Sequence, residues 1–445
     1  MSLSQSALLF VVAMPGIVFA VFGLLWLMAW VPEERAVSRI TGTVFSASAL
    51  ALVPILWGIA ASGAGSVTLT FGNWFAVHDY RFPVVLMADR LSLPFLCMTV
   101  VLSGLIGQFS ATYLHRESGF FRFFLLLHLF AFGSLLAFSA GSFDLLVAGW
   151  EIVGITSVLL IAFFQLRTAP VDNALRVFGL YRACDIGLVA AVFAMHDWAG
   201  SASFSGGLPQ LTGYRATTVC LLLLLAAACK AAQVPFSGWL PRAMEGPTPS
   251  SAIFYGAISI HAGAYLLLRV QPLLAQSHLA SSLVILVGVA TAIYGTLSGR
   301  ASADAKTSLA FASLTQVGVV FVEIGMGWTW VAVFHILGHA VVRTLQFLRA
   351  PSMLHDYHQM HSAIGETAPA GKGLEDLLPE RLHLWLYRWA LDRGHLDTIL
   401  DRFVIRPLMR LSGFFARLDG IGSSRSHPEH RPEALGSYGT GGIGR

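Results

Sequence analysis

Charged residues are scarce in this chain. Only 12% of its 445 residues are Asp, Glu, Lys or Arg, whereas 56% are hydrophobic, and a soluble domain carries about 25% charged residues. The deficit excludes a soluble enzyme, a disordered protein and a nucleic-acid-binding protein as descriptions of the whole chain, and it indicates a polytopic membrane protein in a lipid bilayer. It is uneven, because residues 1–350 hold 17 Lys/Arg and 13 Asp/Glu, whereas residues 351–445 hold 11 of each.

Cysteine is also rare, and its placement is uninformative for metal or redox chemistry. The four cysteines lie in apolar runs and form no CxxC pair. They support neither a zinc site nor a disulfide framework, and they are interpreted as small buried hydrophobic residues. The sequence has no nucleotide, flavin or iron–sulfur motif. It therefore predicts no cofactor, no metal and no catalytic site of its own.

Long apolar runs dominate the first 350 residues. A helix needs about 20 apolar residues to cross a bilayer core. Eleven segments qualify, at about 7–30, 40–62, 91–111, 121–140, 144–164, 174–196, 216–234, 250–270, 279–298, 306–324 and 328–348. The first is too long for a cleaved signal peptide and is predicted to be retained.

The loops between these spans differ in positive charge. Loops after odd-numbered spans carry nine Lys/Arg and loops after even-numbered spans carry four. The positive-inside rule then predicts an external N-terminus and a cytoplasmic C-terminal segment.

The segment after residue 350 divides into three parts. Residues 355–372 are polar and predicted to be a linker. Residues 380–419 alternate apolar residues with Arg and Asp, which predicts amphipathic helix broken near Gly394 and Pro407, lying on the membrane surface or on a partner. Residues 421–445 are rich in Gly, Ser, Pro and His and are predicted to be disordered.

Two ionisable residues lie deep within predicted spans, where a charge is costly and usually functional. Glu151 is flanked by apolar residues in the fifth span. Lys230 lies late in the seventh span, and Pro235, five residues on, can open that helix. Burial favours a neutral lysine and a nearby carboxylate favours a charged one, so a lysine–glutamate pair of adjustable separation could act as a proton switch. The alternative is a static ion pair that fixes helix packing.

The eleventh predicted span carries three polar residues on one face. His335, His339 and Arg343 are spaced by four residues. Imidazoles pass protons near neutral pH, whereas Arg343 acts as a fixed positive charge. A metal site would need a third ligand that the sequence does not supply nearby, and simple packing is a further alternative.

The remaining candidates are supporting ones. Arg182 and Asp185 are three residues apart in the sixth span and could pair with each other. His261 in the eighth span could be a proton relay or a buried packing residue. Glu323 ends the tenth span, and Lys306 lies at its mouth, where it could be an anchor or part of a path.

Several of these stretches resemble a known family. CKAAQVPFSGWLPRAMEGPTPSSA (229–252) resembles the signature of the antiporter-like subunits of respiratory complex I, Mrp-type antiporters and membrane-bound hydrogenases. GWEIVGITSVLLIAFF (149–164), ADAKTSLAFASLTQVG (303–318) and FHILGHAVVRTLQFL (334–348) resemble further family segments. FVIRPLMRLSGFFARLDG (403–420) resembles the region near the C-terminus of the complex I subunit with the long lateral helix. The likeness extends over about residues 85–350 and part of the tail.

The resemblance implies roles for individual residues. Glu151 and Lys230 match the glutamate and lysine that drive proton movement in the family, and His335 and His339 match histidines of its central hydrated axis. Two positions depart from the pattern. Tyr255 stands where the family usually has a histidine, so that His261 could take over part of that role, and Arg343 stands where it has a lysine.

The resemblance also implies an architecture. The family fold has two inverted five-helix repeats. The expectation here is an all-α membrane protein with helices 1–3 in residues 1–120, a first repeat in 121–272, a truncated second repeat in 273–350, linker and amphipathic helices in 351–420 and a disordered tail in 421–445. The second broken helix of the family is expected to have no counterpart.

The expected function is that of a proton- or cation-translocating subunit that energises a multisubunit complex in a bacterial inner membrane. A shortened member with a cytoplasmic tail resembles the membrane subunit of DAB-type inorganic-carbon pumps, whose partner is a large, zinc-containing, carbonic-anhydrase-like cytoplasmic protein. The alternatives are a subunit of a complex I-like or hydrogenase complex with other membrane subunits as partners, a Na⁺/H⁺ antiporter subunit, and a non-conducting scaffold.

Overall fold

The computed structural model describes residues 1–423 except 62, 64, 78–79, 205–207, 209, 303 and 365–378. For residues 255, 351–364, 416 and 418–423 it describes the backbone alone. Within these residues, eleven helices are long and apolar enough to cross a membrane. They are α1 (Leu3–Leu27), α2 (Glu34–Ala61), α3 (Ser92–Tyr113), α4 (Phe120–Phe138), α5 (Phe143–Ile161), α6 (Thr168–Ala199), α7 (Gly213–Lys230), α8 (Thr248–Arg269), α9 (His278–Arg300), α10 (Ala305–Gly325) and α11 (Thr329–Ile364).

These helices confirm the predicted membrane protein with eleven spans. The ends of the membrane-crossing parts, with α11 counted to Ala350, differ from the predictions by up to six residues. Small residues allow α4 and α5 to pack closely. A Cβ atom on Gly149 would lie 2.5 Å from the backbone nitrogen of Ala137 and 2.6 Å from the carbonyl oxygen of Gly133. This contact fixes the rotation of α5 and therefore the direction in which its polar residues point.

A β-hairpin joins α2 to α3, and the sequence analysis did not predict it. Strands β1 (Ser66–Val77) and β2 (Tyr80–Asp89) are antiparallel, with Ser66 opposite Asp89. The pattern of buried Val67 and Leu69 with partly buried residues between them has the period of two that is typical of a strand. This alternation is visible in the sequence, but it is short and lies between the strongly apolar runs of the second and third predicted spans.

The chain between α7 and α8 is broken into short turns, as Pro235 predicted. Helix α7 ends at Lys230, and the segment 231–247 contains single helical turns at Phe236–Gly238, Trp239–Arg242 and Ala243–Glu245. The indole nitrogen of Trp239 donates to the carbonyl oxygen of Cys229 at 2.9 Å. This bond satisfies a carbonyl that the end of the helix leaves without an intrahelical partner.

The C-terminal part differs from the prediction in two places. Helix α11 continues to Ile364, so residues 355–364 are helical rather than linker. No Gly or Pro occurs at 352–364 to end the helix. The rest of the predicted linker, residues 365–372, lies outside the described residues.

Three further helices follow, namely α12 (Glu380–Leu391), α13 (Leu396–Leu400) and α14 (Arg406–Ser423). The break near Gly394 is confirmed, since this residue has φ +60°. The predicted break near Pro407 is a change of helix type rather than an interruption, since a π-helical turn at Asp401–Ile405 leads directly into α14. Pro407 lies in the first turn of α14, where proline is tolerated. The predicted disorder starts at 421, but helical backbone extends to Ser423, and residues 424–445 lie outside the described part.

Candidate functional site

Four charged residues from three helices, α5, α6 and α7, lie close together. Arg182 on α6 forms an ion pair with Glu151 on α5. The same guanidinium reaches Asp185 on its own helix, with Nη2 at 2.7 Å from Oδ2. The predicted pairing of Arg182 with Asp185 is therefore present, and Glu151 joins it through the same arginine.

Lys230 at the end of α7 completes this cluster without touching a carboxylate. Its side chain is 1% exposed, and in the described part of the chain it makes no ion pair within 4.0 Å. Its Nζ donates to the carbonyl oxygen of Trp150 at 3.2 Å and lies 4.9 Å from the ring centre of Trp150 and 4.7 Å from that of Tyr181. A carbonyl and two aromatic faces thus hold the ammonium group.

Trp150 also connects the lysine to the carboxylates. Its indole nitrogen donates to Oδ1 of Asp185 at 2.7 Å. Sequence reasoning missed Trp150 and Tyr181, although each is adjacent to a charged residue that it singled out, Glu151 and Arg182.

Gly154 on α5 faces the space between the two cations. A Cβ atom at this position would lie 3.4 Å from Nζ of Lys230 and 3.5 Å from Nη2 of Arg182. An alanine methyl group would therefore just touch both cations, and a larger side chain would compete with them for this space.

A second cluster joins α8 to α11. Nε2 of His261 lies 2.9 Å from Nδ1 of His339, and Nδ1 of His261 lies 2.6 Å from the carbonyl oxygen of Ala257. A carbonyl only accepts, so Nδ1 of His261 carries a hydrogen, and in the neutral ring Nε2 accepts from His339. Nε2 of His339 is then the free acceptor, and it is buried with no hydrogen-bond partner among the described residues.

The backbone of α8 makes this arrangement possible. Residues Ala252–Ala257 form a π-helical turn, and the amide of His261 donates to Ile258 at 3.1 Å rather than to Ala257. The carbonyl of Ala257 is therefore available to the imidazole of His261. Tyr255 lies in this turn, and its side chain is outside the described residues.

His335 faces α10 rather than α8. Its Nδ1 lies 2.9 Å from Oε1 of Glu323, and its Nε2 lies 3.0 Å from Oε1 of Gln316. The other carboxylate oxygen of Glu323 is buried without a partner among the described residues. The pair His335–Glu323 was not predicted as such, because the two residues lie on different helices.

The remaining predicted residues lie apart from these contacts. Arg343 donates to Oε1 of Gln346 on its own helix at 2.6 Å. Lys306 lies half-buried in the first turn of α10, where Oδ2 of Asp304 caps the helix by accepting from Thr307 at 2.7 Å. Within the described residues, no group of three His, Cys, Asp or Glu side chains is placed to hold a metal ion.

A third polar cluster, which sequence reasoning missed, lies at the start of α5. The hydroxyl of Tyr80 donates to Oδ1 of Asp144 at 2.7 Å, and Nε2 of His196 lies 3.0 Å from the same oxygen. Burial, together with the hydrogen bond to Asp144, raises the pKa of Tyr80 to about 12. Asp144 and Glu151 are seven residues apart and hence on one face of α5, about 10 Å apart along the helix.

Comparison with known proteins places the chain in a family. The profile of a family described as "NADH:quinone oxidoreductase/Mrp antiporter, TM" matches residues 140–367, and one described as "NADH-Ubiquinone oxidoreductase (complex I), chain 5 N-terminus" matches residues 74–124. Since the first match includes more than half of the sequence, this chain belongs to the antiporter-like transmembrane subunit family. The predicted family is thereby confirmed.

Curated relatives include NADH-ubiquinone oxidoreductase chain 5 of Schizophyllum commune, 33% identical over 65% of this chain and 43% of the relative. NADH-quinone oxidoreductase subunit L of Mycobacterium tuberculosis is 33% identical over 64% of this chain and 46% of the relative. The chain therefore spans less than half the length of these two relatives.

Two solved structures share the fold. One is the Mrp complex from Dietzia sp. DQ12-45-1b, with a TM-score of 0.64, 24% identity and coverage of 78% of this chain and 36% of that one. The other is the membrane-bound sulfane sulfur reductase, an archaeal respiratory membrane complex, with a TM-score of 0.65, 19% identity and coverage of 77% and 70%.

Proposed function

We propose that this chain is a proton-translocating subunit of a multisubunit membrane complex. The observation that carries the proposal is Lys230, a buried lysine held by a carbonyl and two rings while its countercharges lie one contact away around Arg182. With Lys230 protonated, the four charges of the cluster sum to zero. A proton that arrives at Glu151 would make the sum positive and favour release of the proton from Lys230.

The histidines supply the continuation of the path in this proposal. In the hydrogen bond between His261 and His339, His339 donates when both rings are neutral, so transfer of a proton from His261 to His339 requires the two rings to exchange donor and acceptor roles. Helix α8 packs directly on the last turns of α7, since a Cβ atom on Gly263 would lie 2.3 Å from the carbonyl oxygen of Ala227. Water would carry the proton between Lys230 and His261, and His335 with Glu323 would receive it beyond His339.

The chemistry of the groups favours a proton over Na⁺ as the transported ion. Hard cations require several oxygen ligands, whereas Lys230, His261 and His339 offer nitrogen. The two carboxylates of the first cluster are already occupied by Arg182. An Na⁺-specific antiporter is therefore the weaker proposal.

We further propose that the complex energises inorganic-carbon uptake through a carbonic-anhydrase-like cytoplasmic partner. The support is the sequence resemblance together with the exposed apolar residues on α12 and α14, among them Trp385, Phe414 and Phe415, which suit a docking surface. In this proposal the protein lies in a bacterial inner membrane, with its N-terminus outside and its C-terminal segment in the cytoplasm. The chain then consists of a complete first repeat and a partial second repeat.

The test is to neutralise Lys230 and Glu151 in the assembled complex. We expect Lys230→Ala and Glu151→Gln to abolish membrane-energised activity while tagged protein still purifies with its partners. Glu33→Gln and Arg35→Ala are matched controls, because they change the same charges at exposed positions and should leave activity intact. Full activity in both buried-site variants would refute the proposal.

The same purification identifies the complex. A large zinc-containing soluble partner with bicarbonate uptake would support the inorganic-carbon proposal. Iron–sulfur or flavin subunits would instead assign the chain to a redox complex, and proton translocation would remain under test by the two variants.

A further inference from the structure

The C-terminal arm, defined as helices α12, α13 and α14 (Glu380–Ser423), folds back onto the broken segment 231–247 that follows Lys230. The ring of Trp389 lies 6.0 Å from that of Tyr294 on α9, edge to face. A Cβ atom on Gly179 of α6 would lie 3.8 Å from Ile405 and 3.9 Å from Leu408. The arm therefore contacts two membrane helices as well as the segment between α7 and α8.

Asp397 at the start of α13 is the centre of this contact. Its Oδ2 accepts from Nη2 of Arg242 in the broken segment at 2.9 Å, and its carbonyl oxygen accepts from Nη2 of Arg176 on α6 at 3.2 Å. Arg176 also pairs with Asp401, with 2.5 Å between Nη2 and Oδ1. The Asp397 side chain is 15% exposed, so these ion pairs are partly withdrawn from solvent and are stronger than pairs on an open surface.

Gly238 is a second residue of the broken segment that meets the carboxylate of Asp397. Its backbone has φ −66° and ψ −19°, which any residue adopts. Yet a Cβ atom there would lie 1.7 Å from Oδ1 of Asp397. The constraint on this position is therefore steric, and it comes from the carboxylate of the arm.

A continuous set of contacts leads from this carboxylate to Lys230. Trp239 follows Gly238, and its indole bonds to the carbonyl oxygen of Cys229, the residue before Lys230. The ring of Trp239 lies edge-on to that of Tyr181 at 5.2 Å, and the Tyr181 ring lies 4.7 Å from Nζ of Lys230.

We propose that Asp397 is a positioning residue, which seats the C-terminal arm on the segment after Lys230 and thereby couples the state of the arm to proton transfer at that lysine. Only the coupling to transfer rests on the function proposed above; the seating of the arm does not. A partner that binds the arm would then act on the lysine through Gly238, Arg242 and Trp239, a physically contiguous route.

The first measurement is hydrogen exchange in the full-length protein. Asp397→Ala and Gly238→Ala should each raise exchange in residues 231–247 and in the arm. Asp392→Ala and Gly413→Ala are matched controls, because Asp392 is exposed and no atom lies within 4 Å of a Cβ on Gly413. The double variant Asp397→Ala/Gly238→Ala should exchange no faster than Asp397→Ala alone, because both changes disrupt the same contact between Gly238 and the Asp397 carboxylate. Unchanged exchange in the single variants would overturn the proposal.

The second measurement is proton flux per folded, assembled molecule. We expect a reduction of roughly 2- to 30-fold for Asp397→Ala and Gly238→Ala. Arg242→Lys, which keeps the charge, should retain more flux than Arg242→Gln. If exchange rises while flux stays normal, the coupling is refuted and the proposed function stands. If Lys230→Ala has normal flux, the proposed function fails, whereas the seating of the arm remains as the exchange data show it.

Discussion

Single residues decide how the buried charge of Lys230 is balanced. The lysine contacts the carbonyl oxygen and the ring of Trp150, while Arg182 forms ion pairs with Glu151 and Asp185. An isolated ammonium within a membrane span is costly, and here the carboxylates of Glu151 and Asp185 lie around Arg182 and form no direct ion pair with the lysine. In the function proposed above, this arrangement leaves the proton on Lys230 available for transfer, because no carboxylate bonds to it.

The first prediction at this scale concerns the free space at Gly154. Gly154→Ala should keep near-normal proton flux, because its Cβ would make ordinary contacts at 3.4 and 3.5 Å. Gly154→Leu should sharply reduce flux, since the larger side chain fills the space between Lys230 and Arg182 and overpacking costs about 1–3 kcal/mol. Gly338→Leu is the control, at a position with no atom within 4 Å of the Cβ. Normal flux in Gly154→Leu would show that this space is not used.

The second prediction separates the proposed relay role of His339 from its structural role. An asparagine amide can take the place of Nδ1 and still donate to His261, so His339→Asn should unfold at nearly the wild-type temperature. His339→Leu leaves Nε2 of His261 buried without a partner, which costs about 1–3 kcal/mol. Both variants lose a titratable ring and should lose flux. Flux retained in His339→Asn would remove this histidine from the path.

At the scale of elements, the β-hairpin anchors one end of α8. Oδ2 of Asp89 lies 2.5 Å from Nη1 of Arg269, whose Nη2 lies 2.6 Å from the hydroxyl of Tyr265. That hydroxyl donates to the carbonyl oxygen of Phe138 at 2.8 Å, so one chain of contacts links β2, α8 and α4. Burial alone would raise the pKa of Asp89, but Arg269 and Ser92 hold it below its usual value.

The prediction at this scale is that Asp89→Asn destabilises the protein by about 3–5 kcal/mol, because Arg269 is left buried without a countercharge. Asp89→Asn/Arg269→Met should recover part of this loss, which thermal unfolding in detergent will show. Folding lowers the pKa of Asp89, so the ionised carboxylate stabilises the folded protein at pH values above its ordinary pKa of 3.8. This stabilisation is lost as the pH falls below that value. The difference between wild type and Asp89→Asn should therefore shrink in acid, and a constant difference would contradict the ion-pair explanation.

The elements also show what sequence could and could not predict. Eleven spans followed from the lengths of apolar runs, and Pro235 and Gly394 marked real breaks. Their spacing predicted that His335 and His339 share one face of α11. It could not predict that His335 contacts α10 whereas His339 contacts α8. That depends on how neighbouring helices are rotated, which close contacts such as those of Gly149 determine.

At the scale of the whole molecule, the C-terminal arm and the charged cluster are joined through one short broken segment. The arm was predicted as amphipathic helix from its alternation of apolar and charged residues. Its attachment was not predictable, since Asp397 and Arg242 are 155 residues apart in the sequence. The structure thus places an exposed, apolar and Arg-rich surface a few contacts away from Lys230.

Proton flux through Lys230 is the most direct test of the proposed function. The full-length protein, with the subunits that purify with it, would be reconstituted into liposomes, and a potassium diffusion potential would drive flux that a lumenal pH dye records. Wild-type protein and Arg35→Ala should show equal flux, and Lys230→Ala should show only the leak of protein-free liposomes. Wild-type flux in a folded, assembled Lys230→Ala variant would contradict the account.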